Sequence, residues 1–203
     1  MTFSLNAALS ANAAPAALTA PRAADLRIGE ESPFDVAARE ALLDEAFGLS
    51  RAEKTSARLR EGRLPANGLA LVARDGGELV GALRCWPIEA GGRAALLLGP
   101  LAVAKSHRSL GIGATLMREA LWRAAMLGHK AVLLVGDAPY YARFGFEASL
   151  TAGLDLPGPV DRARFLAFEI AHGALDGAKG MVVATGERSA LRRRPRQAMR
   201  QAA

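Results

Sequence analysis

One cysteine in 203 residues, Cys85, leaves no partner for an intrachain disulfide and none for a multi-cysteine zinc site. The lone thiol fits a reducing compartment, and the expectation is a cytoplasmic protein. Aromatic residues make up only 5% of the chain, and none is interleaved with the basic residues as a base-stacking surface would require. No apolar run approaches the ~20 residues needed to span a bilayer, so no membrane partner is expected. The three histidines, His107, His129 and His172, are too far apart for metal-ligand spacing, and no metal is expected. Positive charge is also scarce outside one place. Residues 187–203 hold six arginines against one glutamate and account for five of the six net positive charges. The high isoelectric point therefore describes a tail and not the body of the chain. A short solvated tail is the preferred reading, and nucleic-acid binding is not expected on this composition. Met1 to Ala24 lacks any Lys or Arg before Arg22, so neither a secretory signal nor a transit peptide fits.

What is present is a hydrophobic content of 51%, enough to pack one domain. The expected organisation is a disordered leader over 1–24, one domain over 25–186, and a disordered basic tail over 187–203. Within the domain, residues 26–30 read as a strand and 34–47 as a helix opened by Ser32-Pro33. A second helix is expected over 51–61. Residues 69–74 and 78–88 form a hairpin across Asp75-Gly76-Gly77, and Gly91-Gly92 turns into a central strand over 94–103. The run Leu116, Met117, Ala120, Leu121, Ala124, Leu127 has helical spacing and is closed by Gly128. Further strands are expected at 131–135, 164–170 and 181–184. The fold class is α/β (α+β), with a mixed, twisted central sheet of six or seven strands and helices on both faces.

The most informative stretch is His107-Arg108-Ser109-Leu110-Gly111-Ile112-Gly113-Ala114, between the central strand and the long helix. Strand, glycine turn and helix start build an anion site, because the first helical N–H groups lack intrahelical partners and the dipole favours negative charge. A Walker loop would need Lys-Ser/Thr after the last glycine, where this chain has Ala114-Thr115. A dinucleotide fingerprint would need a third glycine where Leu116 stands. The remaining pattern, Arg-x-x-Gly-x-Gly, is matched by Arg108, Gly111 and Gly113. Gly99-Pro100 interrupts the preceding strand, since proline cannot donate to a ladder. Downstream, Tyr140-Tyr141-Ala142-Arg143-Phe144-Gly145-Phe146 places a tyrosine five residues before the phenylalanine of Gly-Phe.

In this order these segments resemble the GNAT superfamily of N-acetyltransferases. The resemblance implies acetyl-CoA as co-substrate, with Arg108, Ser109, Leu110, Gly111, Ile112, Gly113 and Ala114 around the pyrophosphate. It implies that Leu101, Ala102 and Val103 hold the pantetheine arm, and that Tyr141 protonates the departing CoA thiolate. For Tyr140, aromatic packing is the preferred reading. Ser109 and Leu110 stand where many members have glycine and a basic residue, which shifts the load to backbone N–H groups and Arg108. The expected reaction is acetyl transfer to an amine of a small molecule or protein by direct attack in a ternary complex; the alternative is a non-catalytic acyl-CoA-binding or regulatory protein. A homodimer is compatible with the sequence. For the general base, Glu89 and Asp137 are weak candidates, since a lone acid in a turn is usually a turn residue. His107 adjoins the loop and is a candidate phosphate contact. Cys85 reads as a buried inert thiol. Arg84 and Trp86 either line the acceptor groove or pack under the first helices.

Overall fold

The computed structural model describes residues 25–189, so the expected leader over 1–24 and most of the basic tail lie outside the described residues. Four helices and eight strands alternate along them: β1 (Arg27–Glu30), α1 (Val36–Phe47), α2 (Thr55–Arg58), β2 (Ala70–Asp75), β3 (Glu78–Ala90), β4 (Arg93–Val103), α3 (Ile112–Met126), β5 (Ala131–Val135), α4 (Ala138–Ala142), β6 (Leu154–Asp155), β7 (Phe165–Glu169) and β8 (Gly180–Ala184). The main path of the sheet runs β1-β2-β3-β4-β5-β7, with β8 paired to β3 and β6 to β8. Pairing is antiparallel except for β4 with β5 and β6 with β8, so the sheet is mixed as expected. The two-residue β6 takes the strand count beyond six or seven; it is too short to leave a periodic signal.

One face of the sheet is covered by α3. Its Ile112, Leu116, Met117, Ala120 and Ala124 pack on Leu71, Leu83, Leu96, Val132 and Leu134 of the strands below. Leu116 and Met117 are fully buried, and burial of such side chains stabilises by about 1.5–3 kcal/mol each. On the opposite face, Leu42 and Leu43 of α1 sit on Val72, Ala82 and Ala102. The rest of that face is filled by Leu154, Leu156 and Leu175 against Trp86, Ile88, Leu97 and Leu133. Among the described residues, no helix is long and apolar enough to cross a membrane.

The expected helix over 51–61 does not form as one element. Leu49–Glu53 is a 3-10 turn, Lys54 is extended (φ −61°, ψ 140°), and α2 is a single turn. Long-range bonds override local propensity here. Arg51 Nε donates to Asp44 Oδ1 (2.7 Å), pulling the first piece back to α1. Thr55 Oγ1 and Arg58 Nη1 donate to the carbonyls of Pro159 and Pro157 (2.6 Å each), tying the second to a distant loop. The first helix starts at Val36 instead of Phe34, because Pro33–Asp35 is a 3-10 turn in which Asp35 accepts from Ser32 N and Oγ (2.7 and 2.8 Å). Past the expected end of the domain, Leu64 N donates to Glu187 O (2.8 Å) and Ser189 N to Gly62 O (2.9 Å), so these residues are still held by the body.

Candidate active site

β4 and β5 are paired only at Leu96–Val132 and Leu97–Leu133. Beyond that point they part, and β4 continues alone on that side to Val103. The Gly99-Pro100 interruption is a bulge toward β3: Leu83 opposes Leu101 and Cys85 opposes Leu98, so two residues of β4 face one of β3. Ala104 N donates to Val80 O (2.9 Å). Because N–H direction alternates along a strand, Ala102 also faces β3, while the N–H and C=O groups of Leu101 and Val103 face the gap. Their side chains join the core under α3, and Ala102 packs on the opposite face. An extended ligand could therefore add to β4 like a strand.

At the far end of β4 the gap meets the start of α3. Gly111 caps the helix in the left-handed region (φ 79°), which a residue without a β-carbon adopts freely, and Ser109 is also left-handed (φ 66°). Thr115 N is taken by Gly111 O (3.0 Å), leaving the N–H groups of Ile112, Gly113 and Ala114 without helical partners. Gly113 permits a close approach: a β-carbon there would stand 2.9 Å from the Tyr140 hydroxyl and 3.6 Å from Val103 Cγ2. Of the loop side chains, Arg108 lines the cleft and is exposed. Ile112 is buried in the core and anchors the turn, whereas Leu110 points to solvent. His107 is turned elsewhere, with Nε2 3.3 Å from Asp75 Oδ2 and Nδ1 2.8 Å from Ser106 Oγ. It does not line the cleft, so the structure does not support its expected phosphate contact.

The cleft has a volume of about 1230 Å³. One wall is β4 from Leu97 to Val103; facing it are Val135, Gly136, Asp137, Tyr140 and Tyr141. Burial pushes the Tyr141 phenol up to about 12, helped by Tyr140 and Asp137 and opposed by Arg164, so the hydroxyl keeps its proton throughout the neutral range. Its ring stacks edge-on to Tyr140 (4.9 Å) and Phe146 (5.9 Å). Tyr140 packs as expected, beneath the Arg143 guanidinium (4.2 Å), yet its hydroxyl also reaches the start of α3. Local sequence carries no signal for that contact, which depends on how α4 docks.

The third wall is made of side chains from 40–61 together with Arg84 and Trp86. The same pair also packs under the first helices, Trp86 in one cluster with Leu59 and Arg84 through Glu31 to Arg39 of α1, so the two readings of it do not exclude each other. Trp86 Nε1 donates to Gly99 O (2.7 Å), and the Arg84 guanidinium lies 5.7 Å over its ring. Arg84 Nε donates to buried Glu31 (2.7 Å), which also binds Arg39; Arg39 and Arg51 both bind Glu40. Burial pushes the Glu40 carboxyl up, but the hydrogen bonds and charges of Arg51 and Arg39 outweigh it and hold it below its ordinary value. Arg60, which the sequence reading passed over, also lines the cleft.

The base candidates fare unequally. Asp137 lines the cleft and caps α4 through Tyr140 N (3.3 Å). Glu89 sits opposite Ala94 near the far end of β3, exposed and away from the cleft. Cys85 is buried, and burial alone pushes its thiol up to about 12, which removes it as a nucleophile at neutral pH. Among the described residues no group of three or more His, Cys, Asp or Glu side chains converges as a metal site.

A mixed sheet whose central strands part beside an unpaired helix N-terminus is an arrangement with room for an elongated anionic ligand. Comparison with known proteins makes this specific. Residues 66–148 match the family model described as an acetyltransferase (GNAT) domain. The chain is 31% identical over 154 residues to the N-acetyltransferase YhbS of Escherichia coli K12, covering 75% of this chain and 92% of YhbS. The solved structure of Escherichia coli YhbS in complex with CoA aligns with a TM-score of 0.69 at 32% identity, over 81% of this chain and 92% of that one. A GNAT family acetyltransferase from Brucella melitensis in complex with acetyl-CoA aligns at 0.58 and 27% identity, over 79% and 96%. The chain belongs to the GNAT family of N-acetyltransferases and is an acyltransferase.

Proposed function

We propose that the cleft transfers an acetyl group from acetyl-CoA to a primary amine by direct attack in a ternary complex. The observation that carries this reading is the opening of β4 away from β5 immediately beside the start of α3. The pyrophosphate sits on the loop from Arg108 to Ala114, held by the free N–H groups of Ile112, Gly113 and Ala114 and by the Arg108 charge. Pantetheine runs along Leu101, Ala102 and Val103, bonded by the N–H and C=O groups of Leu101 and Val103 that face the gap. One of those N–H groups polarises the thioester carbonyl. The binding of CoA and acetyl-CoA by the two aligned GNAT structures supports this reading.

In the transfer, the neutral amine nitrogen forms a bond to the carbonyl carbon, the C–S bond breaks, the thiolate takes a proton from the Tyr141 hydroxyl, and the proton released by the new amide nitrogen returns to the Tyr141 phenolate. A phenol protonated throughout the neutral range suits that role. The amine sheds its own proton before attack. Glu40 is a poor acceptor because its two arginines hold its carboxyl below the ordinary value, so it binds a proton only weakly. Tyr141→Phe should lower turnover by about 10²–10⁴-fold while calorimetry shows acetyl-CoA affinity within about twofold of the wild type. Wild-type protein that consumes no acetyl-CoA with any member of a broad panel of amines, peptides and aminoglycosides would leave only acyl-CoA binding standing.

A further inference from the structure

Several charged groups along the side-chain wall of the cleft are answered by protein partners. Arg51 binds Glu40 and Asp44, Arg84 binds Glu31, and Lys54 lies over the Phe47 ring at 4.8 Å. Arg164 Nε donates to Gly136 O (3.2 Å). Arg60 is different: among the described residues its guanidinium meets no carboxylate, carbonyl or aromatic ring. Glu53 and Glu61 line the same wall, are exposed, and form no ion pair with it. Burial and the nearby Arg51 charge push Arg60 down to about 10, so the protein accepts an unfavourable cation at this spot. A guanidinium keeps its proton at neutral pH, and no described protein group answers its charge; an anion in the cleft would.

Its place gives the anion a purpose. Arg60 Nη1 is 4.0 Å from where a β-carbon on Gly99 would stand. Gly99 is two residues beyond the last β4–β5 pair and two before Leu101, so it lies where the gap opens. The Gly99 carbonyl is tied to Trp86 Nε1, which keeps the indole in the same wall, with Leu97 beside it. A cation therefore stands at the inner end of the gap, next to an apolar surface.

We propose that Arg60 recognises the acceptor, and that the acceptor is a compact amine carrying an oxyanion, carboxylate or phosphate, gripped by the Arg60 guanidinium while the Trp86 indole takes its apolar body. This rests on the acetyl-transfer reading of the cleft. The planar fork of arginine suits two-point binding of either oxyanion. The short distance from Arg60 to the opening of the gap requires amine and anion to be close together, as in an amino acid or an aminoalkylphosphonate. A lysine side chain on a folded protein does not have that form.

Two arms test this on the full chain, with wild type, Arg60→Gln and Arg60→Lys. In the first, CoA-saturated protein is titrated by calorimetry with N-acetylglycine, N-acetyl-leucine, N-acetyl-2-aminoethylphosphonate and N-acetyl-leucinamide. At least one anionic probe should bind the wild type ten-fold or more tighter than the neutral amide. Arg60→Gln should erase that difference, and Arg60→Lys should keep part of it. The stronger of the carboxylate and phosphonate probes identifies which oxyanion is used. In the second arm, acetyl-CoA turnover is followed with the corresponding free amines. Arg60→Gln should raise KM for the anionic acceptor at least ten-fold and leave the Kd for acetyl-CoA unchanged. The proposal is overturned if the amide binds as well as the acids, if no probe binds, or if Arg60→Gln weakens neutral and anionic probes alike. Anion binding that depends on Arg60 without turnover of any amine would overturn the transfer reading and leave the Arg60 site intact. Turnover of neutral amines that ignores the Arg60 change would do the reverse.

Discussion

At Leu101–Val103 and Gly113 the cleft is bounded by a parted strand and a helix start, whereas along Glu40 to Arg60 and at Arg84 and Trp86 it is bounded by long side chains. The first wall presents N–H and C=O groups from a parted strand and a helix start, and its side chains mostly serve the core: Ile112 and Ala102 are buried. Such a wall depends on backbone conformation and tolerates many residue types. The second wall depends on which residues are present, since its chain of ion pairs runs Arg84, Glu31, Arg39, Glu40, Arg51, Asp44. A donor common to many reactions fits the first, and recognition of one acceptor fits the second.

The comparison breaks most sharply at Glu31. It lies between two guanidiniums, and its side chain and that of Arg39 are 5% and 6% exposed. Glu31→Gln removes the carboxylate that Arg84 and Arg39 share, with Arg39 still held by Glu40, and should cost about 1–3 kcal/mol in urea unfolding. Acceptor KM should rise in the surviving protein while the Kd for acetyl-CoA stays put; a change in both would mean that the two walls are one unit.

The reciprocal experiment is Gly113→Leu. Its β-carbon would meet the Tyr140 hydroxyl at 2.9 Å and push side-chain bulk into the start of α3. Acetyl-CoA affinity should fall about 10–100-fold, the loss of about one hydrogen bond to a charged group (~1.5–3 kcal/mol). Unaltered calorimetric affinity would detach the donor from this loop.

The smallest effect is a slope with pH. Burial pushes Cys85 and Tyr141 from ordinary values of 9.0 and 10.0 up to about 12, so the native protein keeps both protons where the unfolded chain releases them. Stability from these groups is complete below pH 9 and is lost as pH rises toward 12, at about 1.4 kcal/mol per pH unit for each group titrating. Melting curves from pH 8 to 11 should therefore steepen above 9 and again above 10. Cys85→Ala should remove the first component and Tyr141→Phe the second. If Tyr141→Phe changes nothing, the phenol is open to water and does not belong to the packed wall.

The sequence was most readable where function rests on local backbone. Arg108, Gly111 and Gly113 sit within six residues, and their spacing alone separates this loop from nucleotide-binding loops. Gly99-Pro100 marks the bulge, and Tyr141 is located by Gly145-Phe146. It was least readable where contacts span the chain. The expected helix over 51–61 gave way to bonds with 157–159, and Arg60 became a cleft residue because of that break. His107 turned to Asp75 in the neighbouring hairpin, a partner 32 positions away. The Tyr140 hydroxyl met Gly113 because α4 docks beside α3.

Composition and local pattern were thus enough to establish a mixed sheet, a left-handed turn before a long helix and a family resemblance, since dihedral preference, periodicity and capping act within a few residues. The separation of β4 from β5, the ion-pair chain under the cleft and the unanswered guanidinium of Arg60 emerged from packing, since each depends on groups brought together from distant parts of the chain, and burial sets how strongly their charges act.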